Sequence, residues 1–196
     1  MSKTVGRFKA ALKSTEKVDH SRKLRTNILA GLAAPNPPLG PQLGQRNINI
    51  GNFIKDFNER TANIKEGIPL PVRVKVHPDR TYDMVIHQPP ATYFLKQAAG
   101  IQRGAMNSGN EVAGKVTLRH LYEIAKIKSQ DPPLTLLTLQ QITQMLVGIA
   151  RTCGIKIVRE IDPDEYAVFL KEREAIVEEQ KQALQAAKEA KMLRTG

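Results

Sequence analysis

Catalysis would require a nucleophile, a proton acceptor and a group that orients them, and the reactive residue types in this chain do not assemble such a set. The four histidines, His20, His77, His87 and His120, show no metal-ligand spacing. His77 and His87 fall in strand-like stretches, where a packed or exposed imidazole is the expectation. Cys153 is the only cysteine, so an internal disulfide and a thiolate zinc site are excluded. It continues the apolar stripe of a helix, where a thiol serves as inert packing. The glycine-containing stretch from Ala99 to Lys115 lacks the lysine and hydroxyl pair of a nucleotide-phosphate loop. No catalytic residue, metal or cofactor is expected.

Binding is better supported. Leu139, Ile142, Leu146, Ile149 and Cys153 recur at three- and four-residue steps, predicting a helix capped by Thr138. Its opposite face carries Gln141, Gln144, Gly148, Arg151 and Thr152. A glycine inside a helix costs about 1 kcal/mol relative to alanine. Close approach of a partner's backbone would offset that cost; a helix–helix contact through the same glycine is the competing explanation.

Charge narrows the partner. The chain has 196 residues with 30 Lys and Arg against 19 Asp and Glu, a net +11. Residues 160–196 hold six basic and nine acidic residues, so the excess sits in the preceding body. Such a body attracts phosphate polyanions. With no tryptophan and 5% aromatic residues, a stacking platform for single strands is disfavoured, and recognition of folded RNA by shape and phosphate contact fits better. No apolar run approaches the roughly 20 residues of a membrane span.

The elements that must position these residues read as α+β. Residues 1–23 form a basic leader with Val5, Phe8 and Leu12 on one helical stripe, either an organelle-targeting segment or a nucleic-acid-binding arm. Pro35 to Gln45 is uncharged and holds four prolines, which exclude ordinary helix up to about Pro41. This stiff segment is either a connecting turn or a recognition surface. Asn49 caps a helix with Ile50, Phe53, Ile54 and Phe57 on one face, ending between Ala62 and Lys65. Val72, Val74 and Val76, then Tyr82, Met84 and Ile86, alternate as a hairpin, joined by an earlier strand around Asn27 to Ala33. Residues 24–87 thus form one domain, and Gln88 to Pro90 a stiff hinge.

From residue 91 to 158 the chain is mainly helical. Ala91 to Ala99 ends at Gly100, and an irregular loop runs from Ile101 to Gly114. Thr117 caps a helix with Leu118, Leu121, Tyr122 and Ala125 on one face, stopped by Asp131, Pro132 and Pro133. Ile155 to Val158 is a short strand. Beyond it, residues 159–196 form a helical extension, with Asp162 as cap and Pro163 in the first position. Its stripe comprises Tyr166, Phe169, Leu170, Ile176, Val177 and Leu184.

PPLGPQLGQ (Pro37 to Gln45), NINIGNFIKDFNERT, PLPVRVKV, QPPATYFLKQAAGI, VAGKVT and GIARTCGI (Gly148 to Ile155) together resemble the L-eleven family of large-subunit ribosomal proteins, over about residues 24 to 158. The resemblance implies a non-enzymatic, cofactor-free structural protein that binds large-subunit ribosomal RNA at the stalk base. The RNA contacts it implies are Pro89, Pro90, Arg103, Gly104, Asn107, Lys115, Thr117, Gln144, Gly148, Arg151, Thr152 and Gly154. It also implies that Pro37, Pro38, Pro41 and Gln45 line a cleft engaged by translational GTPases and thiopeptide antibiotics. Stalk proteins are implied as partners; no membrane and no homo-oligomer are. One departure is that Ala105 to Gly114, usually lysine-rich in the family, holds no cation and carries Glu111. The leader and the extra helix resemble the mitochondrial branch, which implies the mitochondrial ribosome. The rival is a helix-turn-helix DNA-binding protein built from Thr117 to Ser129 and Thr138 to Cys153, whose connection of about eight residues exceeds the usual turn. A PxxP ligand at Pro38 to Pro41 is a weaker rival, since the motif has no flanking arginine before Arg46.

Overall fold

The computed structural model describes residues 23–195, with side chains to Met192; the basic leader's apolar stripe of Val5, Phe8 and Leu12 lies outside the described residues. The chain divides into two compact units, one ending at His87 and the other beginning at Gln88. The class is α+β.

In the first unit, strands β1 (Lys23–Leu29), β2 (Pro69–Val76) and β3 (Tyr82–Ile86) form an antiparallel sheet in that order. Alternation along β2 buries Val72, Val74 and Val76 and leaves Arg73 and Lys75 in solvent, as a sheet with one covered face requires. Met84 lies opposite Val74 on the same buried face. The first strand begins earlier than Asn27, because Leu24 and Ile28 supply its inward positions; Lys23 therefore belongs to the sheet and not to the leader.

Helix α1 (Leu39–Gly44) overturns the expectation of no helix before Pro41. Pro41 sits in the first turn, where the missing N–H has no intrahelical acceptor to lose, and the turn buries Leu39 and Leu43. Helix α2 (Ile50–Arg60) begins at Asn49, whose side chain accepts from the Asn52 amide at 3.3 Å. Phe53 and Phe57 are fully buried in the same core as the sheet valines, each stabilising by about 1.5–3 kcal/mol. The helix stops at Arg60, short of Ala62.

The second unit contains α3 (Ala91–Ala98), β4 (Gly114–Thr117), α4 (Leu118–Lys128), α5 (Leu139–Thr152), β5 (Ile155–Val158) and α6 (Pro163–Thr195), with a 3-10 turn at Pro132–Leu134. β4 and β5 pair in parallel, Gly114 opposite Ile155 and Thr117 opposite Val158. Leu95, Val116, Leu121, Ile142, Leu146 and Ile155 form the core. Thr117 with His120, and Thr138 with Gln141, make reciprocal capping boxes at the starts of α4 and α5.

Three apolar stripes differ from the expected ones. On α4 the buried positions are Leu121, Ile124, Ala125 and Lys128, whereas Leu118 and Tyr122 are exposed. The fourth buried position is a lysine because it is ion-paired with Asp131 and donates to the carbonyls of Gln88 and Pro89 at 3.3 and 3.4 Å; a charge is tolerated in a core when paired and hydrogen-bonded. On α5, Leu139 is exposed and Cys153 is half-buried at the C-cap. On α6, Ile176 and Leu184 are exposed, and the packed side is Tyr166, Phe169, Leu170, Arg173, Val177 and Gln180. Every residue from Lys181 to Met192 is exposed.

Candidate nucleic-acid interface

The exposed side of α5 follows from its amphipathic sequence. Burying Ile142, Leu146 and Ala150 leaves Gln141, Gln144, Gly148, Arg151 and Thr152 in solvent. At Gly148 an added Cβ would meet nothing within 4 Å. The helix–helix explanation for this glycine is therefore absent within the described residues, and the backbone there is open to an approaching molecule. Thr152 donates its hydroxyl to the Ile149 carbonyl at 2.7 Å, which fixes its rotamer at the rim. The Arg151 side chain is exposed.

Gly154 has another function. Its φ is +71°, and a Cβ would stand 2.3 Å from the Ala105 Cβ and 2.9 Å from the Glu111 carbonyl oxygen. Here the absent side chain admits the chain's own loop. The loop is tied to the end of α5 on both sides, by Ala105 N to the Cys153 carbonyl at 2.9 Å and Ala113 N to the Gly154 carbonyl at 2.7 Å. Gly104 abuts the same Cys153 carbonyl, at 3.0 Å from an added Cβ. These bonds bring the stretch holding Arg103, Gly104 and Asn107 beside the helix end that bears Arg151 and Thr152.

The remaining positions are distributed unevenly. Asn107 is exposed at the loop tip, and Arg103 is half-buried. Lys115 and Thr117 lie on β4 and are half-buried; Lys156, which sequence reasoning did not single out, is the register partner of Lys115 on β5 and is exposed. The Lys115 ammonium sits 5.3 Å from the centroid of the Phe169 ring of α6, a cation–π geometry that holds it over the helix. Pro90 precedes α3 and is half-buried, and Pro89 is buried, its ring withdrawn from the surface while its carbonyl accepts from Lys128. In the first unit, Pro37, Pro38, Pro41 and Gln45 are all exposed, and the Pro37–Pro38 peptide is cis.

Glu111 is the residue of the site that pattern reading left without a role. One oxygen accepts from the amides of Met106 at 2.8 Å and Asn107 at 3.3 Å; the other accepts from Gln180 Nε2 at 2.7 Å and pairs with Arg173. Burial alone would raise its carboxyl pKa, but the donors from Arg173, Gln180, Met106 and Asn107 outweigh it and bring the pKa from 4.5 to about 2. The one signal available in the sequence was a lone acid in a stretch without cations. Among the described residues no group of histidine, cysteine or acidic side chains could hold a metal ion, and no helix is long and apolar enough to cross a membrane.

Comparison with known proteins follows the same division. The family described as "Ribosomal protein L11, N-terminal domain" matches residues 24–82, and "Ribosomal protein L11, RNA binding domain" matches residues 87–157. α6 lies outside both matches. The Large ribosomal subunit protein uL11m of Drosophila melanogaster is 64% identical over 196 residues, covering 100% of both chains. That of Caenorhabditis elegans is 50% identical over 191 residues, 97% of each chain. The Schizosaccharomyces pombe protein of the same name is 37% identical over 139 residues, 68% of this chain and 96% of its own. With successive family regions matched in chain order and the fly relative aligned from end to end, the chain belongs to the ribosomal protein L11 family.

Proposed function

We propose that this protein is a non-catalytic, RNA-binding component of the large subunit of the mitochondrial ribosome, where it holds large-subunit RNA at the stalk base and supports docking of translational GTPases. Its relatives carry the name of that subunit, and residues 87–157 match a domain described as RNA-binding. The observation that carries the mechanism is the open backbone at Gly148, flanked by exposed Gln144, Arg151 and Thr152.

A helix that lacks a side chain at its closest point lets ribose and phosphate approach the peptide groups, while Arg151 neutralises phosphate and Gln144 and Thr152 supply hydrogen bonds. The loop bearing Arg103, Gly104 and Asn107 extends this contact, with Lys115 and Thr117 at its base and Gly154 holding it against α5. Pro90 enters at the start of the same unit. In the first unit the exposed Pro37, Pro38, Pro41 and Gln45 offer a stiff, uncharged surface suited to translational GTPases or a thiopeptide, because little conformational entropy is lost when such a segment docks. Stalk proteins complete the set of partners.

Replacing Gly148 by leucine in the full chain should lower affinity for a transcript of the stalk-base RNA by about 100-fold, or roughly 2.7 kcal/mol, in a filter-binding titration, with no loss of thermal stability. Unchanged affinity would refute the reading. Duplex DNA competing as well as the folded RNA across a salt series would favour a DNA-binding protein instead. Cosedimentation of tagged protein with large-subunit particles from isolated mitochondria tests the placement.

A further inference from the structure

We infer that the proximal half of α6 is a built-in clamp that fixes the Ile101 to Gly114 loop in its RNA-receiving shape, with Glu111, Arg173, Gln180 and Tyr166 as positioning residues. This rests on the RNA-binding reading and adds to it a segment that neither family match covers.

Three contacts hold the loop's two ends and its middle. The Tyr166 hydroxyl donates to the Ala99 carbonyl at 2.6 Å and accepts from the Lys115 amide at 3.1 Å, so one side chain bridges the residues at which the loop leaves α3 and enters β4. Phe169, stacked on Tyr166 with centroids 5.8 Å apart, lies under the Lys115 ammonium. One and three turns further along, Arg173 and Gln180 converge on a single oxygen of Glu111. The other Glu111 oxygen binds the Met106 and Asn107 amides within the loop. Residues 106–110 nevertheless remain exposed. The clamp grips the base and leaves the tip free to meet a ligand.

The chemistry makes this hold one-sided. Arg173 is 5% exposed, and among the described residues its Nε and Nη2 find no acceptor and the Glu111 carboxylate is its one counter-charge. A buried guanidinium deprived of that partner is strongly disfavoured. The middle of the loop is thus coupled to the helix through a single carboxylate, and a loop ordered before binding loses less entropy when RNA docks.

The test uses the full chain and a stalk-base RNA transcript. Arg173→Met removes the buried charge while retaining bulk, and Glu111→Ala removes the acceptor. Each should accelerate hydrogen exchange of the Met106 and Asn107 amides and lower RNA affinity about tenfold, and the double variant should be no worse than Glu111→Ala alone. The salt dependence of binding should keep its slope in Arg173→Met, because the arginine positions the loop and touches no phosphate. Unchanged or tighter binding in both single variants would overturn the clamp, as would a slope reduced by about one, which would make Arg173 a phosphate ligand. Failure of the unaltered chain to bind the transcript would overturn the RNA-binding reading beneath it.

Discussion

The exposed side of α5 and the loop beside it are neighbours built on opposite principles. Around Gly148 the helix meets no other part of the described chain, and its conformation is set by its own hydrogen bonds and by the core beneath it. Around Glu111 both carboxylate oxygens and the loop amides of Met106 and Asn107 are already engaged by the protein itself. A regular helix can present a bare surface because its backbone is satisfied internally. An irregular loop cannot, so this chain supplies the missing partners from α6. Two glycines six residues apart mark the division, Gly148 empty on its outer side and Gly154 filled by Ala105 and Glu111.

Exchanging those glycines should separate the two regions most sharply. Gly154→Ala combines a positive φ with a clash against the loop; the cost should be about 3 kcal/mol, seen as a lowered urea midpoint, and a stability within 0.5 kcal/mol of wild type, to use a rough surface-substitution margin, would show that the loop is not packed there. Gly148→Ala should do the reverse. It should stabilise the fold by up to about 1 kcal/mol while weakening RNA binding, so that chemical denaturation and filter binding move in opposite directions.

Arg151→Ala should leave stability unchanged and reduce the slope of log affinity against log salt by about one. The same measurement on Arg173→Met should show no change of slope, which keeps a contacting arginine distinct from a positioning one. The smallest effect expected is a pH dependence. The Glu111 carboxyl titrates near 4.5 when unfolded and about 2 when folded, so its stabilisation is complete above pH 4.5 and is lost as pH falls toward 2. Denaturation midpoints measured between pH 5 and 2.5 should fall less steeply in Glu111→Ala than in the unaltered chain.

Much of this architecture was legible from pattern. The Thr117 and Thr138 caps, the β2–β3 hairpin and the helix around Phe53 and Phe57 follow from local spacing, because each needs only residues a few positions apart. α1 was missed because proline was read as a helix breaker without regard to position, and in a first turn it breaks nothing. The buried side of α4 runs on to Lys128 and that of α6 includes Arg173, and an apolar pattern passes over both because a cation carries no hydrophobic signal. A buried cation is recognised by its counter-ion, and that partner is fixed by the fold and not by periodicity. In the candidate interface the α5 side was readable from Gly148 and its flanking polar residues, whereas the work of Glu111 was not.

The sequence by itself determined where the longer helices begin, which strands alternate, that the body is basic, and that one mid-helix glycine lacks a local reason to exist. Tertiary structure alone decided that Gly148 is open and Gly154 filled, and that a lone acid in the loop is bound by an arginine and a glutamine more than sixty residues away. The reason is physical. Capping and alternation depend on neighbours along the chain, whereas open space and paired charge depend on what the rest of the chain brings alongside.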